Sequence, residues 1–296
     1  MAEGRIFTGI GGWIYPPWRG VFYPPELPHS RELEFASRAV TAIEINATYH
    51  RLQTPRAFAS WAAAVPRGFV FTVKASRICT NRRNLADGAE AMQRFFAQGV
   101  TELGPALGPI LWQLMPTKRF DPDEIRAFLA LLPRAIDGVR LRHALEARHE
   151  SFCNAEFVAI ARKARVAIVV ADAEQYPQIA DRTGSFVYAR LQKARAEIEA
   201  GYDSRSLGRW CRIAKEWSAG EEPAGLTYAG GGHAKVAEAR AVAARPGRSL
   251  GAPGRRVAAA KAPAPDKPRD VFLFFIDGAK ERAPAAARAL IARLRR

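Results

Sequence analysis

Apolar positions in this chain gather into eight short runs: Ile6 to Ile10, Ala42 to Asn46, Phe69 to Lys74, Ile110 to Leu114, His143 to Arg148, Val166 to Ala171, Phe186 to Leu191 and Val271 to Ile276. Each is too short for a helix and rich in β-branched or aromatic residues. Most are separated by stretches whose apolar residues recur at helical spacing. That alternation predicts βα units and a parallel sheet, and eight units predict a single (β/α)8 TIM-like barrel.

The connecting helices carry recognisable ends. Ser30 is placed to cap a helix from Arg31 to Val40, Thr54 with Pro55 opens Arg56 to Ala64, and Asp121 with Pro122 opens Asp123 to Leu132. Asn154 opens Ala155 to Ala164, Asp203 or Ser204 opens the helix carrying Trp210 and Trp217, and Pro284 starts a last helix to Leu294. From about Pro223 to Pro268 the rhythm breaks into Ala, Gly, Pro and Arg, so 223–268 reads as a low-complexity basic insertion, disordered or partly helical. A length of 296 residues suits one barrel domain, 1–296, containing that insertion better than it suits two domains.

Charge changes this picture only locally. The formal net charge is +16; residues 223–268 hold eight Lys or Arg against Glu238 and Asp266, and residues 280–296 hold six against Glu281. The remainder of the barrel is mildly basic. Cys79, Cys153 and Cys211 are widely spaced, which indicates neither a disulfide framework nor a cysteine zinc site and suits a reducing compartment. No run of 18 apolar residues occurs and no secretory apolar segment precedes the first strand, so the expectation is a soluble, cytoplasmic protein with no membrane partner.

The chemistry sits where the runs end. Side chains alternate along a strand, so Glu44 shares a face with Asn46, and Glu146 shares one with Arg148. Burying such groups beneath helices costs several kcal/mol in order of magnitude, whereas the open C-terminal mouth of a barrel can hydrate and pair them. These residues are therefore expected to point inward at the mouth. Thr72, Lys74, Gln113, Asp172, Tyr188, Arg190 and Asp277 join them, and Tyr49, His50 and His149 follow close behind.

Lys74, Arg148 and Arg190 favour an anionic ligand, with the two arginines able to fork a phosphate or carboxylate. In that setting Glu44 or Glu146 is a candidate general base, and His149 or Lys74 a candidate acid or electrophilic stabiliser. Lys74 as a Schiff-base nucleophile is an alternative. Asn46, Tyr49, Gln113, Arg148, Asp172, Arg190 and Asp277 are candidate substrate-binding residues, with Trp13 and Tyr15 from the Gly11-Gly12-Trp13-Ile14-Tyr15 loop. Glu44, Glu146, Asp172 and Asp277 could converge on a divalent metal, but the neighbouring cations would repel it, and no cofactor is expected.

Several of these segments resemble the YecE-like proteins, catalogued as domain of unknown function 72. They are Gly11 to Tyr15 with Trp18, Gly20 and Phe22-Tyr23-Pro24; Ile43 to Tyr49; Phe71 to Lys74; Gln113 to Pro116; Glu146 to His149; and Tyr188 to Leu191. The resemblance implies a (β/α)8 barrel with its site at the strand ends and no assigned reaction. The chain departs from the family's tendency at Gln192-Lys193, where His-Gly is usual, and at Asp277-Gly278, where Asn is usual.

The leading functional expectation is a metal-independent enzyme using carboxylate and histidine acid–base chemistry on a small anionic, phosphorylated or carboxylated, substrate. The alternatives are a nucleic-acid-binding or nucleic-acid-processing protein acting through 223–268 and 280–296, and a non-catalytic barrel scaffold.

Overall fold

The computed structural model describes residues 4–230 and 267–296. Eight parallel strands close into a single (β/α)8 TIM-like barrel. They are β1 (Ile6–Gly11), β2 (Ala42–Ile45), β3 (Val70–Lys74), β4 (Leu107–Gln113), β5 (His143–Glu146), β6 (Ala167–Asp172), β7 (Phe186–Leu191) and β8 (Asp270–Phe275). Each strand pairs with its neighbours in sequence, and β8 closes on β1 through Ile6 opposite Val271 to Ile10 opposite Phe275.

Seven of the eight strands are followed by a helix among the described residues: α1 (Glu32–Ala39), α2 (Pro55–Ala64), α3 (Ala89–Ala97), α4 (Pro122–Ala130), α5 (Ala155–Ala164), α6 (Ser204–Ser218) and α7 (Ala283–Leu294). The connection from β6 to β7 carries none. Thr183 instead ties it back to the start of β6, its hydroxyl donating to the Val166 carbonyl and accepting from the Ile168 N–H.

Thr54, Asp121, Asn154 and Asp203 cap their helices through side-chain oxygens. Ser30 does not, which corrects the expectation for α1. A 3-10 turn at His29–Arg31 feeds that helix directly, and Arg31 occupies the cap position without a side-chain bond. Of the basic insertion expected at 223–268, residues 231–266 lie outside the described residues. Its first residues are docked: the Ala180 N–H donates to the Thr227 carbonyl, and the Thr227 N–H to Gln178.

Alternation divides the barrel into two cores. Outward residues such as Ile43, Phe71, Val73, Ile110, Trp112 and Leu145 pack in the layer beneath the helices. Inward residues, among them Phe7, Val70, Leu111, Val169, Phe186 and Phe272, fill the interior, with Phe7 stacked on Phe272 at 4.9 Å. β1 contributes Gly9 there because a Cβ would lie 2.0 Å from the Ala42 carbonyl oxygen. Between the Arg142–Asp270 pair at the N-terminal end and the polar residues toward the C-terminal ends of the strands, the interior is aromatic and aliphatic.

One histidine belongs to the outer core. The Trp112 indole N–H donates to His143 Nδ1 at 3.1 Å, and His143 Nε2 donates to the Pro133 carbonyl at 2.7 Å. Burial disfavours the imidazolium and pushes His143 down to about 4, against the opposing bond to Pro133. The unfolded chain then takes up this proton first, so the contribution to stability is full above the ordinary value of 6.5 and is lost as pH falls toward 4. Denaturant unfolding at pH 7 and 4.5 should show a loss of up to about 3 kcal/mol in wild type beyond that in His143→Gln. Equal losses in both proteins would remove His143 as the cause.

Candidate active site

The C-terminal mouth is organised around Arg190, an inward position on β7. Its guanidinium crosses to Glu44 at the end of β2, with Nε donating to Oε2 at 3.2 Å and Nη2 to Oε1 at 3.0 Å. Nη1 donates to both oxygens of Glu146 on β5, at 3.0 and 2.8 Å. All three residues are sealed from solvent: Glu44 is 0 % exposed, Glu146 1 % and Arg190 2 %. Burial on this scale is tolerable only because every charge is both paired and hydrogen-bonded.

Neighbouring strands supply the remaining donors. Tyr188 donates to Glu44 Oε2 at 2.7 Å and stands 2.9 Å from the Thr72 hydroxyl. Gln113 donates to Glu146 Oε2 at 2.5 Å. Burial raises the Glu146 carboxyl, but Arg190, Arg148 and the Gln113 amide outweigh it and hold the group at about 2. Burial and the nearby Glu44 raise the Tyr188 phenol well above its ordinary value, which keeps it a neutral donor. Burial likewise opposes the Arg190 charge, yet the two carboxylates reverse that and raise its pKa.

Above this layer lies a cavity of about 290 Å³, lined by Gly11, Asn46, His50, Lys74, Gln113, Arg148, Arg190, Ile276, Asp277 and Lys280. The Lys74 ammonium sits 4.0 Å from the Tyr49 ring centroid and has no hydrogen bond or ion pair among the described residues. Burial lowers Lys74 to about 8, with help from Arg190 and against the attraction of Glu44 and Glu146. Arg148 stacks 4.2 Å from the Tyr176 ring and reaches Glu146 at 3.4 Å, yet its buried Nε has no partner among the described residues. Lys280 lies 4.5 Å from the Tyr15 ring, and burial lowers its pKa against the pull of Asp277.

The inward set expected from alternation is therefore assembled: Asn46, Lys74, Gln113, Arg148, Arg190 and Asp277 line one cavity, with Glu44 and Glu146 beneath it. Tyr49 and Tyr15 do not line it but hold their rings against Lys74 and Lys280, which do. Three candidates sit elsewhere. Trp13 packs on Trp61 of α2 at 5.2 Å and on Phe71, in the helix layer. His149 accepts the Ser151 N–H through Nδ1 at 3.1 Å and so caps a short turn. Asp172 faces a neighbouring chamber, paired with Lys193 at 3.3 Å. The sequence alone gives Lys280 and Tyr176 no place in the site and His50 no role in it.

Of the four carboxylates that could converge on a metal, Glu44 and Glu146 pair with Arg190 and Asp172 with Lys193, while Asp277 has no ion pair among the described residues. Among the described residues no group of three or more His, Cys, Asp or Glu side chains is placed to hold a metal ion. No helix among them is long and apolar enough to cross a membrane.

The family model described as "Protein of unknown function DUF72" matches residues 7–257. The chain belongs to the DUF72 family. Its barrel is similar to that of a DUF72 family protein from Thermotoga maritima, at 19% identity and a TM-score of 0.65, covering 99% of this chain and 100% of that one. It is also similar to a DUF72 family protein from Enterococcus faecalis, at 12% identity and a TM-score of 0.62, covering 99% of each chain. At these identities the likeness concerns the fold. A search of curated proteins returns no match.

Replacing Arg190 by Met in this DUF72 protein leaves two carboxylates buried without their counter-charge and should cost about 3–5 kcal/mol in denaturant unfolding near neutral pH. Because the Glu146 value is held below its ordinary 4.5, its contribution in wild type is full above that pH and is lost as pH falls toward 2. The gap between mutant and wild type should therefore narrow in acid. A mutant as stable as wild type at pH 7 would show that the triad does not hold the mouth together.

Proposed function

We propose that this DUF72 protein is a metal-independent enzyme acting on a small anionic, phosphorylated or carboxylated, substrate at the barrel mouth. The observation that carries this reading is the convergence of Lys74, Arg148 and Lys280 on one cavity, with neither lysine ammonium hydrogen-bonded or ion-paired among the described residues and Arg148 bonded there to Tyr176 and Glu146. All three cations lie over aromatic rings, which orient a charge without consuming its hydrogen bonds. An arriving oxyanion supplies the missing partners, and the same cations disfavour a divalent metal.

Within this reading Glu44 and Glu146 are positioning residues. A carboxylate held at about 2 and filled by Arg190 and Gln113 is a weak proton acceptor. Lys74 is the better acid–base group, because a value of about 8 leaves it close to the point where it can both take up and release a proton. His50, which lines the same cavity, is a second candidate for proton transfer in place of His149.

Sulfate is a suitable probe, since its own charge is constant from weakly acidic to alkaline solution. Calorimetric titration of wild type should give an affinity that falls as pH rises through about 8, where the Lys74 ammonium is lost. Lys74→Met should bind more weakly with that pH dependence removed. Arg148→Ala should lose about tenfold or more, equivalent to about 1.4 kcal/mol. Absence of binding, or equal binding in Arg148→Ala, would sink the proposal.

A further inference from the structure

A second chamber of about 670 Å³ opens beside the mouth, and Asp277 lines both. Arg148 of the mouth stacks on Tyr176 of the chamber, and Gln192 of the chamber reaches Glu146 at 3.5 Å. The two spaces therefore share walls, and their volumes lie near the range of small-molecule sites, roughly 300–1,000 Å³. The chamber walls are fixed before any ligand arrives. The Gln192 N–H donates to the Asp172 carbonyl at 2.9 Å, the Lys193 N–H to the Tyr202 hydroxyl at 2.8 Å, and the Ala279 N–H to the Ala194 carbonyl at 2.8 Å. Gly278 allows that last approach: its φ is +77°, and a Cβ would lie 2.4 Å from the Ala194 oxygen.

The chamber differs from the mouth in its charge pattern. The mouth presents several cations and one carboxylate, whereas the chamber mixes Asp172, Glu174, Asp203 and Asp277 with Lys193, Arg195 and Arg209. The carboxylates oppose a second anionic group in that space. The cations oppose an ammonium group. A neutral group that both donates and accepts suits both signs, and among common metabolite groups the hydroxyl does this most compactly.

We infer that the shared walls of the two cavities select a polyhydroxylated anion, a sugar phosphate or sugar acid, with its anionic end in the mouth and its hydroxyl groups in the chamber. This rests on the anionic reading of the mouth and adds the other half of the substrate. Asp277, at the junction, accepts from a hydroxyl close to the anion. Its carboxylate has no hydrogen bond or ion pair among the described residues, and the side chain is exposed, so it can be removed without disturbing the fold.

Calorimetry with inorganic phosphate, ribose 5-phosphate and phosphoethanolamine separates the possibilities, and gluconate against acetate repeats the comparison for a carboxylate. Wild type should bind ribose 5-phosphate about tenfold tighter than phosphate, the equivalent of one or two net hydrogen bonds. Phosphoethanolamine should show no such gain. Asp277→Ala should bring ribose 5-phosphate to within about threefold of phosphate while phosphate itself binds as well or better, since a negative charge has left the rim. Lys193→Ala, an exposed change in the chamber, should reduce the sugar preference and leave phosphate unchanged. Equal affinity for phosphate and ribose 5-phosphate in wild type would overturn this inference while leaving the anion site standing. A gain for phosphoethanolamine would replace the polyol by an amine. Failure of every anion to bind would remove both readings together.

Discussion

The mouth of this barrel depends on one guanidinium serving two buried carboxylates. Glu44 and Glu146 stand on β2 and β5, on different sides of the closed sheet, and Arg190 on β7 reaches both. A lysine could neutralise one of them as a point charge, but it lacks the planar fork that bonds Glu44 through two nitrogens while the third faces Glu146. Tyr188 then donates to Glu44 with the Thr72 hydroxyl beside it, while Gln113, Arg148 and Gln192 reach the Glu146 oxygens. The layer also forms a boundary. Below it the interior is aromatic and aliphatic, and above it the ends of seven strands border one polar cavity while β6 faces the neighbouring chamber.

The charge balance of that layer sets the chemistry above it. Two carboxylates against one arginine leave a single negative charge beneath the cavity, and Lys74 and Arg148 lie over it. Burial and the Arg190 charge, with a smaller part from Arg148, lower the lysine, while the carboxylates below keep it from falling further. The same carboxylates that permit a cluster of cations are thereby unavailable as bases, since their lone pairs are already taken. Division of labour follows from this balance: the buried layer holds charge in place, and the groups that can exchange protons or grip a ligand sit on top.

Much of this was legible in the sequence because a strand alternates with a period of two. Glu44 with Asn46, Thr72 with Lys74, Glu146 with Arg148 and Tyr188 with Arg190 had to share faces, and burial cost decided which face. Pairing across the barrel was not legible, because Arg190 lies 146 residues from Glu44 and nothing local marks them as partners. Trp13 and His149 were misplaced for a related reason: each follows a strand end, where the alternation lapses and turn geometry takes over. Lys280 was hidden by its company, counted with the basic C-terminal segment although its ammonium lies over Tyr15 at the mouth. The β6–β7 connection, for which the sequence marks no helix ends, is held without a helix by hydrogen bonds through Thr183.

A buried ion triad is a poor way to stabilise a barrel. Replacing such groups with well-packed apolar residues is often neutral or stabilising, and the lower half of this interior shows how readily Phe7, Phe186 and Phe272 fill the space. What an apolar layer cannot do is hold several cations at the edge of a cavity with their donors facing outward. Without Glu146 beneath it, Arg148 would lose its one carboxylate contact among the described residues, and mutual repulsion would drive it and Lys74 toward solvent. The triad thus contributes order where it contributes little net stability, and the order is spent on keeping unfilled hydrogen-bond donors in a fixed arrangement. That is the electrostatic preorganisation that the proposed anion site requires.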